Sequence, residues 1–343
     1  MSARQRLQRY RWLALGGGAC ALALLCSVID APGALGAWLV AFLFWSAWPV
    51  GALILLMMMR LMPGAWADEL QPTATAALLG LAPLALAILP LLLGVPALYP
   101  WRHGGGAYLN WAFFDLRSVA WLALCLGLAV GWLKRPASAS MLASIGLVLL
   151  TLLHSLVLVD WAMSLEPDFH SSTFALYLLT IQLTVALALL TLVHLRRADP
   201  APRPGILGAL LLSALLLGLY FAYMQYLVLW SGNLPAGAAW YAKRGAGLWA
   251  AIAWISYLLQ AACIFALFFP PLRRGRRALI VLASIVLLAK ALELAWLVQP
   301  ALHLQGLTTL LALLLAMVGL GLLCLGAFAL ARQLRPAPQQ VHP

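Results

Sequence analysis

Two long apolar segments are joined by the stretch Asp160-Trp161-Ala162-Met163-Ser164-Leu165-Glu166-Pro167-Asp168-Phe169-His170-Ser171-Ser172-Thr173. This connection holds three of the nine acidic residues of a chain that is 65% hydrophobic and only 9% charged. A soluble domain is about half apolar and about a quarter charged, so most of this chain must lie in lipid. Carboxylates gathered at the end of a membrane helix make the connection the first place to look for a functional site.

Apolar segments of roughly 20 residues, long enough to cross about 30 Å of hydrocarbon, recur on both sides of this connection. The sequence therefore predicts an all-α polytopic membrane protein, a single integral membrane domain over residues 1–343. Breaks at proline, glycine or charge clusters divide it into ten spans: 12–29, 35–59, 73–95, 114–133, 138–160, 171–195, 205–231, 246–270, 278–298 and 306–331. Spans 2–5 and 6–9 repeat the same orientations in the same order, which fits either two four-helix bundles or one unrepeated bundle.

Charge placement predicts the orientation of the spans. With both termini and the even-numbered loops on one side, that side carries sixteen of the 21 Lys and Arg residues, and the other side carries four. This positive-inside bias predicts cytoplasmic termini. The net charge of +12 is then explained by topology and anionic headgroups, and nucleic acid is not an expected partner. The five cysteines form no CxxC or CxxCH motif, so we expect this chain to bind neither an iron–sulfur cluster nor c-type haem.

Span 5 carries His154 and ends at Asp160. The two residues are about 9 Å apart along a helix axis and roughly 120° apart around it, so they would meet only through a water-filled crevice. Histidine is suited to proton exchange, and a carboxylate at this depth could accept a proton. The structural alternatives are a histidine hydrogen-bonded to a neighbouring helix and a carboxylate that serves a helix end.

Spans 7 and 9 supply the other candidates for proton transfer. Lys290 and Glu293 are i,i+3 neighbours that can neutralise each other within the membrane, either as a proton relay or as a purely structural ion pair. Tyr223 and Tyr226 share a helix face, where they could take part in proton transfer or belong to the interfacial aromatic belt. All four are predicted to lie in the outer half of the membrane, which favours a pocket or half-channel open to the outside over a continuous path.

Several motifs of the chain resemble one membrane-protein family. They are Asp160 to Pro167 followed by Phe169 and Ser172-Thr173, then Phe221-Ala222-Tyr223-Met224-Gln225-Tyr226, Trp230-Ser231-Gly232-Asn233-Leu234-Pro235 and Trp240-Tyr241. In this order they resemble the NrfD/polysulfide-reductase membrane-subunit family, and within it the ActF-type subunits of alternative complex III. Asp160 corresponds by position to the acidic residue of the first motif, whereas His154, Lys290 and Glu293 match no family motif.

The resemblance implies two four-helix bundles, 35–160 and 171–298, with 12–29 and 306–331 as flanking helices. It also implies a membrane subunit of a respiratory quinol:cytochrome c oxidoreductase in the bacterial inner membrane. The expected partners are an ActC-like membrane subunit, a multihaem cytochrome c and an iron–sulfur subunit, which would hold the haem c and the clusters. This chain would anchor the complex and contribute to proton translocation.

Three alternatives remain open at this point. A quinone pocket within the chain could use Trp161, Phe169 and Tyr223 to flank a ring, with Asp160 and His154 as the proton acceptors of the quinol. A secondary transporter or channel for a small solute is the rival from another functional class. A purely structural scaffold is the third.

Overall fold

The computed structural model describes residues 3–103, 106–134, 140–196, 202–302 and 306–334. Within these ranges the chain is helical and contains no strand. Its α-helices are α1 Ala3–Leu25, α2 Ala31–Leu61, α3 Ala65–Ala77, α4 Leu81–Ala87, α5 Leu89–Leu93, α6 Val95–Leu98, α7 Trp111–Lys134, α8 Ser140–Ala162, α9 Phe174–Leu195, α10 Pro204–Ser231, α11 Pro235–Arg244, α12 Gly247–Phe268, α13 Pro270–Arg274, α14 Arg276–Val298 and α15 Leu307–Leu334.

Ten segments of the described chain are long and apolar enough to cross a membrane, and they confirm the ten predicted spans. Helices are the expected solution, because an unpaired backbone N–H or C=O in lipid costs several kcal/mol, of the order of 2–7. The largest boundary difference is at span 3, which begins at Ala65 rather than at residue 73. We call the face that carries residues 160–173 the outer face and the opposite face the inner face.

Proline acts differently in spans 2 and 3. Helix α2 continues through Pro49 without interruption. Span 3 is divided into α3, a short 3₁₀ turn, α4, α5 and α6, with Pro83, Pro90 and Pro96 in the three last helices. Each of these prolines lacks the N–H that would continue the helical hydrogen-bond pattern.

Helix α2 lies at the centre of the protein and is buried over nearly its whole membrane segment. It packs against α9, α15, α8, α3 and α14. On one side of it, α7 packs on α8; on the other side, α9, α10, α12 and α14 pack against one another. Helices α1 and α15 pair with each other and flank α2. The buried side chains that face α2 from both sides therefore lie near the middle of the molecule.

Helix α11 was not predicted. The predicted spans 205–231 and 246–270 leave Trp240 and Tyr241 in an outer loop, but the structure forms a ten-residue helix from Pro235 to Arg244. Proline is at its first position, where the missing N–H costs nothing. The turn that leads into it contains Asn233 with φ of 47°, a left-handed conformation that asparagine tolerates. This turn aims α11 back over the outer ends of α9 and α14.

Candidate functional site

A buried ion pair forms the centre of the best candidate site. Lys290 Nζ lies 2.8 Å from Glu293 Oε2, as the i,i+3 spacing predicts. Neither side chain has appreciable exposure. Gln260 of α12 bridges the pair, because its Oε1 accepts from Lys290 Nζ at 2.7 Å and its Nε2 donates to Glu293 Oε2 at 3.0 Å. The charges are therefore compensated both within α14 and from a second helix.

Two tyrosines extend this pair into a network across three helices. The Tyr177 hydroxyl of α9 donates to Glu293 Oε1 at 2.5 Å, and it lies 3.0 Å from the Tyr257 hydroxyl of α12. Tyr177 is buried, whereas Tyr257 is partly exposed and is the least enclosed member of the network. Carboxyl, ammonium and phenol groups can each gain or lose a proton. We call Tyr177, Tyr257, Gln260, Lys290 and Glu293 the Lys290–Glu293 cluster.

The cluster lies in the outer half of the bundle. Glu293 and Lys290 precede the outer end of α14 at Val298 by five and eight residues, about 8 and 12 Å along the axis. Helix α10 forms the fourth wall, and it passes Lys290 at Gly218, where a Cβ atom would lie 3.4 Å from Lys290 Nζ. No side chain of α10 stands between its backbone and the ammonium at that position. The position of the pair along α14 is consistent with its predicted depth in the outer half.

His154 belongs to a separate and closed network. Trp121 Nε1 donates to His154 Nδ1 at 2.9 Å, and His154 Nε2 lies 2.6 Å from Gln182 Oε1. Gln182 Nε2 donates to Leu43 O at 2.9 Å, which assigns its Oε1 as the acceptor. Since an indole N–H can only donate, Nδ1 must be the unprotonated nitrogen. A second proton on the ring would point at the indole N–H, so the geometry favours the structural alternative for His154.

Asp160 is also paired, with Arg117, one of the four Lys and Arg residues that the charge count assigns to the outer side. Arg117 of α7 is buried and holds Asp160 through two contacts, Nε to Oδ2 at 2.5 Å and NH2 to Oδ1 at 3.1 Å. An arginine cannot pass on a proton, so no relay runs through this partner. The expected crevice that meets both Asp160 and His154 is replaced by two separate sets of contacts. This geometry favours a structural role for Asp160.

At the outer face, Glu166 forms ion pairs with Arg244 and Lys243 and so joins the two halves of the chain. Glu166 Oε2 lies 2.6 Å from Arg244 NH2, and Glu166 Oε1 lies 2.8 Å from Lys243 Nζ. Arg244 is buried; its NH2 donates to Leu297 O at 2.9 Å, and its guanidinium lies over the Trp240 ring at 3.8 Å. The loop after α8 is thereby fixed to α11 and to the end of α14.

The pKa values of Glu166 and Arg244 shift according to how deeply each side chain is buried. Burial raises the pKa of Glu166, but Arg244 and Lys243 lower it by more, so it lies below its ordinary value. For the more enclosed Arg244, burial outweighs the attraction of Glu166 and lowers the pKa. The guanidinium nevertheless stays charged at neutral pH. The pair is therefore a true ion pair under ordinary conditions.

Ring contacts bring together two of the motifs quoted above. Phe169 stacks on Trp240 at 4.7 Å between ring centroids, and Trp240 packs edge-on against Trp296 at 5.6 Å. Phe169 is buried, so it cannot flank a quinone ring from this position. Trp161 is equally enclosed: it packs against Phe42 and Trp121 and donates to Ser118 Oγ at 3.0 Å. This packing disfavours the predicted quinone contacts of both aromatic residues.

Tyr223 and Tyr226 lie on the exposed surface of α10, with exposed fractions of 56% and 48%. Neither joins the Lys290–Glu293 cluster, and Tyr226 instead packs edge-on against Tyr241 of α11. Their exposure at this end of α10 favours the aromatic-belt alternative. The tyrosines that do contact Glu293 and its network, Tyr177 and Tyr257, were not predicted. Their sequence signal is only that they are tyrosines within apolar spans.

A small cleft opens between the end of α10 and α11. It has a volume of about 310 Å³, and its lining includes the aromatic residues Tyr226, Trp230 and Tyr241. Burial raises the pKa of Tyr241 to about 12, so this hydroxyl keeps its proton at neutral pH and can donate a hydrogen bond. The volume is at the lower end of the range of about 300–1,000 Å³ for small-molecule pockets. Sequence reasoning did not predict this cleft, because it depends on the position of α11.

These observations define the class of the protein: a polytopic α-helical membrane protein with ten candidate membrane spans and a buried ionisable cluster. Among the described residues, no three His, Cys, Asp or Glu side chains converge as metal ligands would. The chain matches no protein-family model, and it matches no curated protein.

Proposed function

We propose that this chain is the ActF-like integral membrane subunit of a respiratory quinol:cytochrome c oxidoreductase, and that it exchanges protons while quinol is oxidised. The Lys290–Glu293 cluster is the proton-handling group, and Tyr257 is its contact with the surroundings. Partner subunits supply the haem c and iron–sulfur centres through which electrons pass. The chain anchors these partners in the bacterial inner membrane, with both of its termini in the cytoplasm.

The observation that carries this proposal is the composition of the cluster. Four ionisable groups from three helices lie in one hydrogen-bonded network with distances of 2.5 to 3.0 Å. Such groups are costly in lipid and are typical of proton pathways in membrane proteins. The arginine-held Asp160 and the tautomer-fixed His154 lack this property. The proton-transfer role therefore belongs to Lys290 and Glu293, and not to Asp160 and His154.

The redox class is supported by the motifs and by where they meet. Glu166 and Phe169 come from the first motif, and they contact Arg244 and Trp240 of α11. Residues that carry the family resemblance are thus concentrated on one face, at the outer ends of α8 and α10 and on α11. A face built in this way is suited to docking partner subunits that hold redox centres.

We assign the quinone contact of the outer face to the cleft beside Tyr241 rather than to Trp161 and Phe169. Tyr226 and Trp230 can lie against a ring, and the protonated Tyr241 hydroxyl can donate to a quinone oxygen. Aromatic side chains with one polar group are common in such sites. The residues that line the cleft supply no acceptor for the protons of a quinol, so it fits binding better than catalysis.

A secondary transporter is less well supported. Transporters built from repeats place broken helices at corresponding positions of both halves. Span 3 is broken at several points, whereas the corresponding span 7 is the continuous helix α10. The asymmetry leaves the broken span without a counterpart.

Co-purification from native membranes tests the class of complex. The chain is tagged, extracted in mild detergent and resolved by size, and the peak is assayed for covalent haem, for iron and for a dithionite-reduced spectrum. We expect haem c and iron–sulfur proteins to migrate with the chain. An unrelated tagged polytopic protein from the same membranes is the control, and migration of the chain alone would contradict the proposal.

A further inference from the structure

A second cleft lies at the inner face, far from the Lys290–Glu293 cluster. It has a volume of about 730 Å³ and lies between α3, the start of α10 and α13. Its rim carries Trp66, Arg203, Arg273 and Arg274, and its deeper part is lined by residues that include Leu210 and Ser213. The cleft is therefore cationic at the membrane surface and apolar below it.

The arginines of the rim are available for an anion. No ion pair is formed by Arg203, Arg273 or Arg274 within the described part of the chain. Glu69 of α3 accepts through its Oε1 from the Arg203 backbone N–H at 2.6 Å and lies 3.2 Å from His194 Nε2, and it forms no ion pair with the three arginine side chains. Arginine is the side chain best suited to phosphate, because its planar fork can bind two oxygens.

The packing of α13 on α10 positions two of these arginines. Gly208 gives room for Arg273, since a Cβ atom there would lie 2.5 Å from Arg273 Cγ and 2.9 Å from its carbonyl oxygen. At Gly205 a Cβ atom would lie 3.2 Å from Arg274 Cγ. Both stems therefore lie along the first turns of α10, with their guanidinium groups at the rim.

The apolar part of the cleft continues into the depth of the membrane. Ser213 follows Pro204 by nine residues, about 14 Å along the axis of α10. Ile206, Ala209 and Leu210 line the way to it. Trp66 stands at the rim, at the level where tryptophan meets lipid headgroups. A ligand that fills this cleft needs an anionic head and an apolar chain.

We propose that this cleft binds one anionic phospholipid. The phosphodiester lies between Arg203, Arg273 and Arg274, and an acyl chain lies along α10 toward Ser213. Basic pockets between membrane helices on the cytoplasmic side bind such headgroups in other proteins. The lipid would hold α3, α10 and α13 together at the inner face. This inference does not depend on the proposed redox function, since it uses none of the same residues.

Lipid retention by the purified full-length chain tests the proposal. The chain is mixed in detergent with equal amounts of phosphatidylglycerol and phosphatidylcholine, and bound lipid is counted by native mass spectrometry. We expect one phosphatidylglycerol to be retained in preference to phosphatidylcholine. The double variant Arg273→Gln/Arg274→Gln should lower its retention about tenfold or more, as expected for loss of charge-assisted contacts to phosphate.

A matched control removes the same charge from the same face. Arg196 and Arg277 are exposed and do not line the cleft, so Arg196→Gln/Arg277→Gln should retain the lipid as the unmodified chain does. Ser213→Phe fills the apolar part and leaves every arginine in place, and it should also lower retention. If the Arg273→Gln/Arg274→Gln variant does not fold, Ser213→Phe alone tests the proposal.

Three outcomes would overturn the proposal. Equal retention of phosphatidylcholine and phosphatidylglycerol would show that the headgroup charge plays no role. An equal loss of lipid in the Arg196→Gln/Arg277→Gln control would show that only the net charge of the protein matters. Displacement of the lipid by millimolar inorganic phosphate, with no effect of Ser213→Phe, would assign the cleft to a free anion instead.

Discussion

The hydroxyl of Tyr177 lies 2.5 Å from Oε1 of Glu293 and joins α9 to α14 inside the membrane. The same hydroxyl lies 3.0 Å from Tyr257 on α12. It is the link between the carboxylate and the least enclosed member of the cluster. Tyr177 is therefore the position at which the proposed proton pathway can be cut with the least change in volume.

Tyr177→Phe should slow proton release coupled to quinol oxidation about tenfold or more, because a phenyl ring can neither donate nor accept a proton. Quinol-dependent acidification is measured with the purified complex in liposomes. Tyr223→Phe removes the same atom from an exposed position on α10 and should leave the rate unchanged. Equal rates for Tyr177→Phe and the unmodified complex would exclude the cluster from proton handling.

Lys290→Met and Glu293→Gln should each destabilise the protein by about 3–5 kcal/mol, because each leaves one buried charge without its partner. The double variant should lose less than the sum of the two, since the interaction is then absent from both. Thermal unfolding in detergent measures the effect. Ser284→Ala, an exposed change on the same helix, is the control. Additive losses would mean that the two residues do not act as a pair.

Gln182→Met should destabilise the protein by about 1–3 kcal/mol or more, since it leaves the His154 Nε2–H buried and unpaired. In a protein that already carries His154→Leu, Gln182→Met should cost little further stability, because the unpaired donor is then absent. Unfolding midpoints check the stability, and acidification in liposomes checks the function. A fall in proton release per quinol in a complex that assembles fully would return His154 to the proton pathway.

Asp160→Asn should reduce the amount of assembled protein rather than the protons released by each complex. The change leaves the buried Arg117 with a neutral partner, whereas Arg117→Met/Asp160→Leu removes both charges and should be milder. Membrane abundance and acidification per complex are measured on the same preparation. Normal abundance with lowered acidification would show a direct role for Asp160 in proton transfer.

The ion pair between Glu166 and Arg244 predicts a defined pH dependence of the stability. The folded-state pKa of Glu166 lies below its ordinary value of 4.5, so the ion pair stabilises the protein fully above that value. The stabilisation is lost as the pH falls through the folded-state pKa, below 4.5. The difference in unfolding midpoint between the unmodified chain and Glu166→Gln should therefore be constant from about pH 8 to 6 and shrink in more acid solution. A difference that grows with acid would contradict this assignment.

Hydropathy predicted the fold well, because lipid leaves few alternatives to helices of a fixed length. The ten spans and the outer-half position of Lys290 and Glu293 follow from it. Helix α11 was missed because a ten-residue amphipathic helix at the surface has no long apolar run. The start of span 3 was placed too late because α3 contains Asp68, Glu69 and Gln71, which lower its hydropathy.

The site was predictable only as far as local spacing reaches. An i,i+3 pair such as Lys290 and Glu293 is visible in the sequence. The partners that decide a role come from other helices: Tyr177 for Glu293, Arg117 for Asp160 and Trp121 for His154. No spacing rule relates those positions, because they are fixed by packing in three dimensions. The sequence therefore points to charged residues within the spans but cannot rank them.

The two buried ion pairs differ in when they can form during synthesis. Lys290 and Glu293 lie on one helix, so α14 can leave the translocon with its charges already neutralised. Arg117 and Asp160 lie on successive helices, so their contact forms only once α7 and α8 pack together. We therefore expect α7 and α8 to enter the bilayer together, as a helical hairpin.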